Sequence, residues 1–219
     1  AKELRALRDR IGATAVPDAE LLRRKHTRVA AGERIVDVGV VNGVNSAFLR
    51  DYLLPDESPT TRATGVLLAN FFGDPFFSEL RTRQQLGYIV GSNLGGSLRQ
   101  RYFTFVIQSS GYAPDELQRR AETFIQTLPD MLSRLSDSEW RTLVSGARSK
   151  LQEKPKSLRE KADLFFERAF NYDGEWDRQE AALAALDTLT REKAQTLLRT
   201  VLAGPRSEEH TSELQSHHD

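Results

Sequence analysis

The chain has no cysteine among its 219 residues, and it carries one methionine and two tryptophans. Without cysteine it can form neither disulfides nor thiolate metal sites, and thiol catalysis is excluded. No apolar run approaches the roughly 20 residues that a membrane-spanning helix needs. The formal net charge is zero, so the basic excess that is typical of nucleic-acid-binding proteins is missing. These absences direct attention to the polar and charged side chains.

Apolar periodicity predicts alternating groups of strands and helices. The segments typical of strands lie at residues 34–41, 44–54, 87–94 and 99–109. The segments with helical spacing lie at residues 2–11, at 59–86 and over most of the chain from Pro114 onward. Asn42-Gly43 predicts an antiparallel hairpin between the first two strands, because both residues tolerate positive φ. Residues 73–75, Gly-Asp-Pro, predict a break in the second helical segment.

This order of elements predicts an α+β fold with two layers, in which helices cover one face of a mainly antiparallel sheet. Phe103, Phe105 and Ile107 alternate with other residues, so their face of the last strand should be buried against the helices. The opposite face is less apolar. The residues that we expect on it are Ser46, Arg50, Tyr102, Thr104 and Gln108.

The segment LRTRQQLGYIV, from Leu80 to Val90, is the most informative part of the chain. Gly87 stands where a helix often ends in a left-handed residue, and a strand is predicted to begin directly after it. Arg81 then falls on the last helical turns and Tyr88 on the first strand residue. The spacing predicts that a guanidinium and a phenol project from the same end of this helix–strand pair.

This segment closely resembles the C-terminal half of the pitrilysin/insulysin family, the inverted zincins that cut peptides with zinc. Further matching pieces follow in order within residues 36–202, among them NSAFLRDYLLP from Asn45, LQEKPKSL from Leu151 and FNYDGEWDRQ from Phe170. The resemblance implies a pitrilysin-type C-terminal domain at residues 34–205, preceded by a connector at 13–33 and the end of another domain at 1–12. It also implies that the less apolar sheet face lines a closed chamber for a substrate peptide.

Zinc peptidases need a metal with an open coordination position, and this chain lacks the ligands. It has no H-x-x-E-H sequence, and its only histidine outside residues 206–219 is His26, which we interpret as an exposed connector residue. We therefore expect no metal ligand in this chain and no activity from it alone. The resemblance implies that zinc is bound by the N-terminal half of the same polypeptide in the full-length enzyme.

Arg81 and Tyr88 are the candidate site residues. They match the Arg-x6-Tyr pair of the family, which implies that Arg81 binds the substrate and that Tyr88 both binds it and is catalytic. A guanidinium can hold a substrate carbonyl with several fixed N–H donors. A phenol is a neutral donor that can stabilise an oxyanion. The structural alternative is that Arg81 caps helix carbonyls and that Tyr88 is a half-buried strand aromatic.

Two other functions stay open. One is a catalytically inactive structural or scaffolding paralogue, although such a protein has no chemical need for both Arg81 and Tyr88. The other is an unrelated α+β binding module. The distance between the two side chains distinguishes it, because groups more than about 12 Å apart or on opposite faces cannot act on one peptide.

Residues 206–219 resemble the translation of a sequencing adapter, so we expect no fixed structure there. Their Glu208, Glu209 and His210 are not predicted to bind metal, because Arg206 stands where the zinc motif needs histidine. The chain begins without methionine, which we interpret as a piece of a longer gene. Arginine exceeds lysine by 24 to 7, which suggests a bacterial source, and resemblance to bacterial relatives predicts the periplasm.

Overall fold

The computed structural model describes residues 2–12, 17, 20, 34–39, 43–97, 99–203 and 206–211. The strands are β1 (Arg34–Gly39), β2 (Ser46–Leu53), β3 (Ile89–Ser97), β4 (Gln100–Ser109) and β5 (Arg206–Thr211). The helices are α1 (Lys2–Ile11), α2 (Pro59–Phe77), α3 (Pro114–Ile125), α4 (Leu128–Ser133), α5 (Asp137–Leu151), α6 (Leu158–Phe166), α7 (Arg178–Asp187) and α8 (Arg191–Ala203). Two π-helical turns, Ser78–Arg83 and Glu167–Asn171, continue α2 and α6.

The sheet has the strand order β1-β5-β2-β4-β3, and all neighbouring strands are antiparallel except β1 and β5, which are parallel. Helices cover one face, so the predicted two-layer α+β class is confirmed. Phe103, Phe105 and Ile107 are buried on that face, as the alternation predicted. Phe72 of α2 packs edge-on against Phe103, with ring centroids 4.9 Å apart. None of the described helices combines the length and apolarity needed to cross a membrane.

Helix α2 lies at the centre of the helical layer, between β3 and the helices α5 and α7. It begins after Ser58, whose hydroxyl accepts a hydrogen bond from the Thr61 N–H at 3.2 Å. The predicted break at residues 73–75 is wrong, because α2 continues through Pro75. Phe72 and Phe76 are buried on either side of that proline. Their packing outweighs the roughly 3 kcal/mol that proline costs in a helix interior.

The β1 side of the sheet differs from two predictions. β1 and β2 do not form a hairpin, because β5 lies between them, parallel to β1 and antiparallel to β2. Residues 206–211 therefore form a strand instead of the unstructured segment that we predicted. The physical reason is that strand edges present unpaired main-chain groups, which an extended segment can satisfy whatever its side chains. The adapter origin of residues 206–219 and the domain boundaries stay predictions, and Asn42, His26 and residues 212–219 lie outside the described residues.

We predicted that Arg50 lies on the uncovered face of the sheet, but it lies on the face that the helices cover. Strand alternation places it on the same side of β2 as Phe48 and Tyr52, and it is 0% exposed. Its Nη1 atom forms an ion pair with Glu122 Oε1 of α3 at 2.6 Å. Its guanidinium carbon also lies 5.4 Å from the centroid of the Tyr52 ring. The prediction failed because it followed the charge of the side chain instead of its position in the strand.

Candidate functional site

Arg81 and Tyr88 lie side by side at one end of the α2–β3 pair. Arg81 is on the π-helical turn that continues α2. β3 begins at Ile89, so Tyr88 directly precedes the strand, whereas we predicted it to be the first strand residue. The Arg81 Cζ atom lies 5.8 Å from the centroid of the Tyr88 ring. Tyr88 is 86% exposed, so it is not the half-buried aromatic of the structural alternative. The two groups are close enough to contact neighbouring groups of a single peptide.

The turn between these two residues is held by hydrogen bonds around Glu79. Its carboxylate accepts from Arg83 Nη2 at 2.6 Å and from Gln84 Nε2 at 2.7 Å. These hydrogen bonds, that from Gln84 first, hold the pKa of Glu79 below its ordinary value. On the inner side, the Leu86 N–H donates to the Leu80 carbonyl at 2.9 Å, and both leucine side chains are buried. The turn is therefore fixed both from the solvent side and from the core.

Gly87 is required by close packing and not by a left-handed conformation, so our prediction of its role is wrong. The left-handed residue of this turn is Gln85, with φ 52°. A Cβ atom at Gly87 would lie 1.9 Å from the carbonyl oxygen of Gln108 on β4. Only glycine lets the backbone pass so close to β4 immediately before Tyr88. The packing partner lies about 20 residues further along the chain, so local sequence patterns carry no signal for it.

Comparison with known proteins assigns this region to a described family. A family model for the PQQ synthase PqqF-like C-terminal lobe, domain 4, matches residues 67–166, which include Arg81 and Tyr88. A nardilysin-like protein of Arabidopsis thaliana is 36% identical over 114 residues, which are 51% of this chain and 11% of that protein. The insulin-degrading enzyme of Homo sapiens is 27% identical over 137 residues, which are 63% of this chain and 13% of that enzyme. The chain thus spans about a tenth of the length of these relatives.

Solved structures share the fold. A crystal structure of pitrilysin matches with a TM-score of 0.83 over 97% of this chain and 23% of that chain, at 23% identity. Together, the family model, the nardilysin-like and insulin-degrading relatives and the pitrilysin fold support a C-terminal fragment of a pitrilysin-family protein. The periplasmic protease PqqL from Escherichia coli, another structure with this fold, matches with a TM-score of 0.65 over 97% of this chain and 24% of that chain, at 18% identity. In the matching family model, the region is a domain of the C-terminal lobe.

A catalytic zinc, which the pitrilysin fold suggests, does not fit the side chains in the described part of the chain. No three histidine, cysteine, aspartate or glutamate side chains come together there in a way that could hold a metal ion. Glu79, the carboxylate at the turn, is already engaged by Arg83 and Gln84. Any zinc ligands must therefore come from other residues.

A cleft of about 760 Å³ lies apart from the Arg81–Tyr88 pair, beside β3 and between α2, the end of α5, α6 and α7. Sequence reasoning missed this cleft because its walls come from separate parts of the chain. Two buried arginines on its walls are held by ion pairs, Arg62 to Glu175 at 3.0 Å and Arg178 to Glu175 at 2.8 Å. Arg178 also contacts the Glu57 carboxylate, and burial lowers the pKa of Arg178. These pairs join α2 to the segment that leads into α7.

Proposed function

We propose that this chain is part of the C-terminal, non-zinc-binding half of a zinc metalloendopeptidase that degrades peptides. In this proposal the N-terminal half of the same polypeptide holds the zinc, and this chain alone is inactive. Arg81 binds the substrate, and Tyr88 binds it and is catalytic. The observation that carries the proposal is the 5.8 Å approach of the Arg81 guanidinium to the ring of an exposed tyrosine. The relatives named pitrilysin and insulin-degrading enzyme support the choice of a peptide substrate.

The two side chains supply complementary donors. The Tyr88 hydroxyl donates a hydrogen bond to the carbonyl oxygen of the scissile peptide group, and this bond strengthens as negative charge develops on the oxygen. The Arg81 guanidinium donates to a neighbouring carbonyl of the substrate and holds its backbone in place. Contact between the guanidinium and the ring restrains both side chains before the substrate arrives.

The replacement Tyr88→Phe in the full-length protein tests the catalytic role, because it removes only the hydroxyl. We expect kcat/KM for a fluorogenic peptide to fall by about 100-fold to 1000-fold, which is typical for the loss of one oxyanion donor. The thermal unfolding midpoint should stay unchanged, because Tyr88 is 86% exposed. Tyr112→Phe is the matched control, since that ring also lies beside an arginine, with the Cζ atom of Arg120 4.9 Å from its centroid.

Arg81→Lys tests the substrate-binding role, because lysine keeps the charge but loses the planar set of donors. We expect kcat/KM to fall by about tenfold or more, with unfolding unaffected. Full activity of both the Arg81 and the Tyr88 variants would contradict the proposed roles. An inactive full-length protein that also lacks H-x-x-E-H would support the scaffolding paralogue instead.

The periplasm of a bacterium is the compartment that we propose for the full-length protein. One protein with this fold is a periplasmic protease of Escherichia coli, which supports the proposal. Cell fractionation of the source organism, with an antibody against this domain, tests it. Recovery with a cytoplasmic marker would contradict it.

A further inference from the structure

The open edge of β3 borders the cleft described above. In the order β1-β5-β2-β4-β3, β3 is an edge strand. Among the described residues it pairs with β4 on one side only. Ser92, Asn93 and Leu94 are consecutive β3 residues, and all three line the cleft. Successive side chains of a strand point to opposite faces, so a cleft that touches three in a row lies along the strand edge. The cleft is therefore next to the main-chain N–H and C=O groups of β3 that do not hydrogen-bond to β4.

The other walls make this cleft suitable for a polypeptide in extended conformation. On the α2 side, Val66 and Ala69 supply apolar surface, and Asn70 is exposed beside them. Leu151, the last residue of α5, and Pro155 after it also line the cleft. A volume of about 760 Å³ lies within the range of known ligand sites and can hold several residues of a peptide.

The Ser92 hydroxyl is a buried polar group on the wall of the cleft that lacks a hydrogen-bond partner in the part of the chain that the structure describes. The Ser92 hydroxyl oxygen is inaccessible to solvent and forms no hydrogen bond with the described residues. Buried hydroxyls are normally hydrogen-bonded, because an unmade bond costs free energy. An extended chain beside β3 would bring main-chain N–H and C=O groups to this hydroxyl and to the strand edge.

We propose that a segment of the peptide substrate lies in this cleft as an added strand on the open edge of β3. The inference rests on the proposed peptidase function and names a second substrate subsite for it. Strand addition of this kind gains its affinity from main-chain hydrogen bonds, so it recognises extended peptides with little regard to sequence.

The distance between the two subsites sets the length of a good substrate. Tyr88 and Leu94 are six residues apart along an extended stretch of chain, which corresponds to about 20 Å at roughly 3.3 Å per residue. A peptide that reaches from the Arg81–Tyr88 pair through the cleft must therefore extend about six residues beyond the scissile bond. Shorter peptides contact the pair alone.

The experiment fills the cleft without touching the Arg81–Tyr88 pair. Asn70→Trp places a large side chain at an exposed position of the cleft wall. Asp74→Trp is the matched control, because it is also exposed on α2 but does not line the cleft. Both variants are made in the full-length holoenzyme and given two fluorogenic peptides with the same cleavage sequence. One peptide ends two residues beyond the scissile bond on each side, and the other extends eight residues on each side.

We expect Asn70→Trp to raise KM for the long peptide by about tenfold and to leave KM for the short peptide unchanged. Asp74→Trp should change neither. A dye-labelled long peptide, measured by fluorescence anisotropy, should also bind Asn70→Trp about ten times more weakly, and this readout does not require cleavage. If Asn70→Trp and Asp74→Trp have the same KM and the same affinity for the long peptide, the inference is overturned.

The outcomes separate this inference from the proposed function. If Tyr88→Phe keeps full turnover while Asn70→Trp still weakens only the long peptide, the catalytic role of Tyr88 is wrong and the β3 subsite stands. If Tyr88→Phe loses turnover on both peptides while Asn70→Trp has no effect on either, the catalytic role stands and the subsite is wrong.

Discussion

Replacing Gly87 by alanine tests whether the turn places Tyr88. The added Cβ atom would lie 1.9 Å from the carbonyl oxygen of Gln108, whereas real Cβ contacts stay beyond 3.0 Å. The turn or β4 must therefore move by about 1.1 Å or more, because the nearest atoms belong to main chain and not to a flexible side chain. Overpacking of this kind costs about 1–3 kcal/mol of folding free energy. A shift of about 1 Å at a catalytic group costs about 100-fold in rate.

The assay measures both quantities on the full-length protein. We expect Gly87→Ala to lower the free energy of unfolding in urea by about 2 kcal/mol and kcat/KM by about 100-fold. Gly91→Ala is the control, since a Cβ atom there meets nothing within 4 Å and the residue lies on the neighbouring strand β3. If the two alanine variants match in stability and in kcat/KM, the reasoning about close packing is refuted.

Two further predictions concern ion pairs. Glu122→Ala removes a carboxylate that pairs with the fully buried Arg50, and should lower the unfolding free energy in urea by about 1–2 kcal/mol. A loss below about 0.5 kcal/mol would show that this ion pair contributes little to stability. Hydrogen bonds from Arg119 and then Arg120 lower the pKa of Glu116 to about 2, below its ordinary 4.5. The ionised Glu116 therefore stabilises the folded state fully above pH 4.5, and this contribution is lost as pH falls toward 2. The unfolding free energies of wild type and Glu116→Gln should converge over this pH window. The measurement is a urea titration of both proteins at each pH. If the difference in unfolding free energy between wild type and Glu116→Gln stays constant, the contribution of the ionised Glu116 is contradicted.

Local patterns predicted what depends on local neighbours. The alternation in β4 identified its buried face. The turn signals placed Arg81 and Tyr88 at one end of a helix–strand pair, and in the structure the Arg81 Cζ atom lies 5.8 Å from the centroid of the Tyr88 ring. Their catalytic role stays a prediction, since geometry alone does not test it.

Patterns failed where the deciding partner is distant in sequence. On the side of β2 away from β4 the neighbour is β5, which follows α8 in the chain, so the tight-turn signal at Asn42-Gly43 gave the wrong neighbour. Arg50 is buried because Glu122 of α3 offers a carboxylate there, and Gly87 is close-packed because β4 passes beside it. The cleft needs β3 and the helices α2, α5, α6 and α7 at once, so no single stretch of sequence indicates it.

The ion pairs of Arg62 and Arg178 determine how the cleft responds to its surroundings. Their side chains are only 5% and 8% exposed, and they tie α2 to the chain that leads into α7. Dissolved ions weaken exposed charges over about 8–10 Å but act much less on buried pairs. Because the arginines are buried while their partner Glu175 is 31% exposed, the spacing between these walls should depend less on ionic strength than a spacing held by fully exposed pairs would. If a charged peptide binds in the cleft as proposed, salt should alter its rate of arrival more than the shape of the cleft.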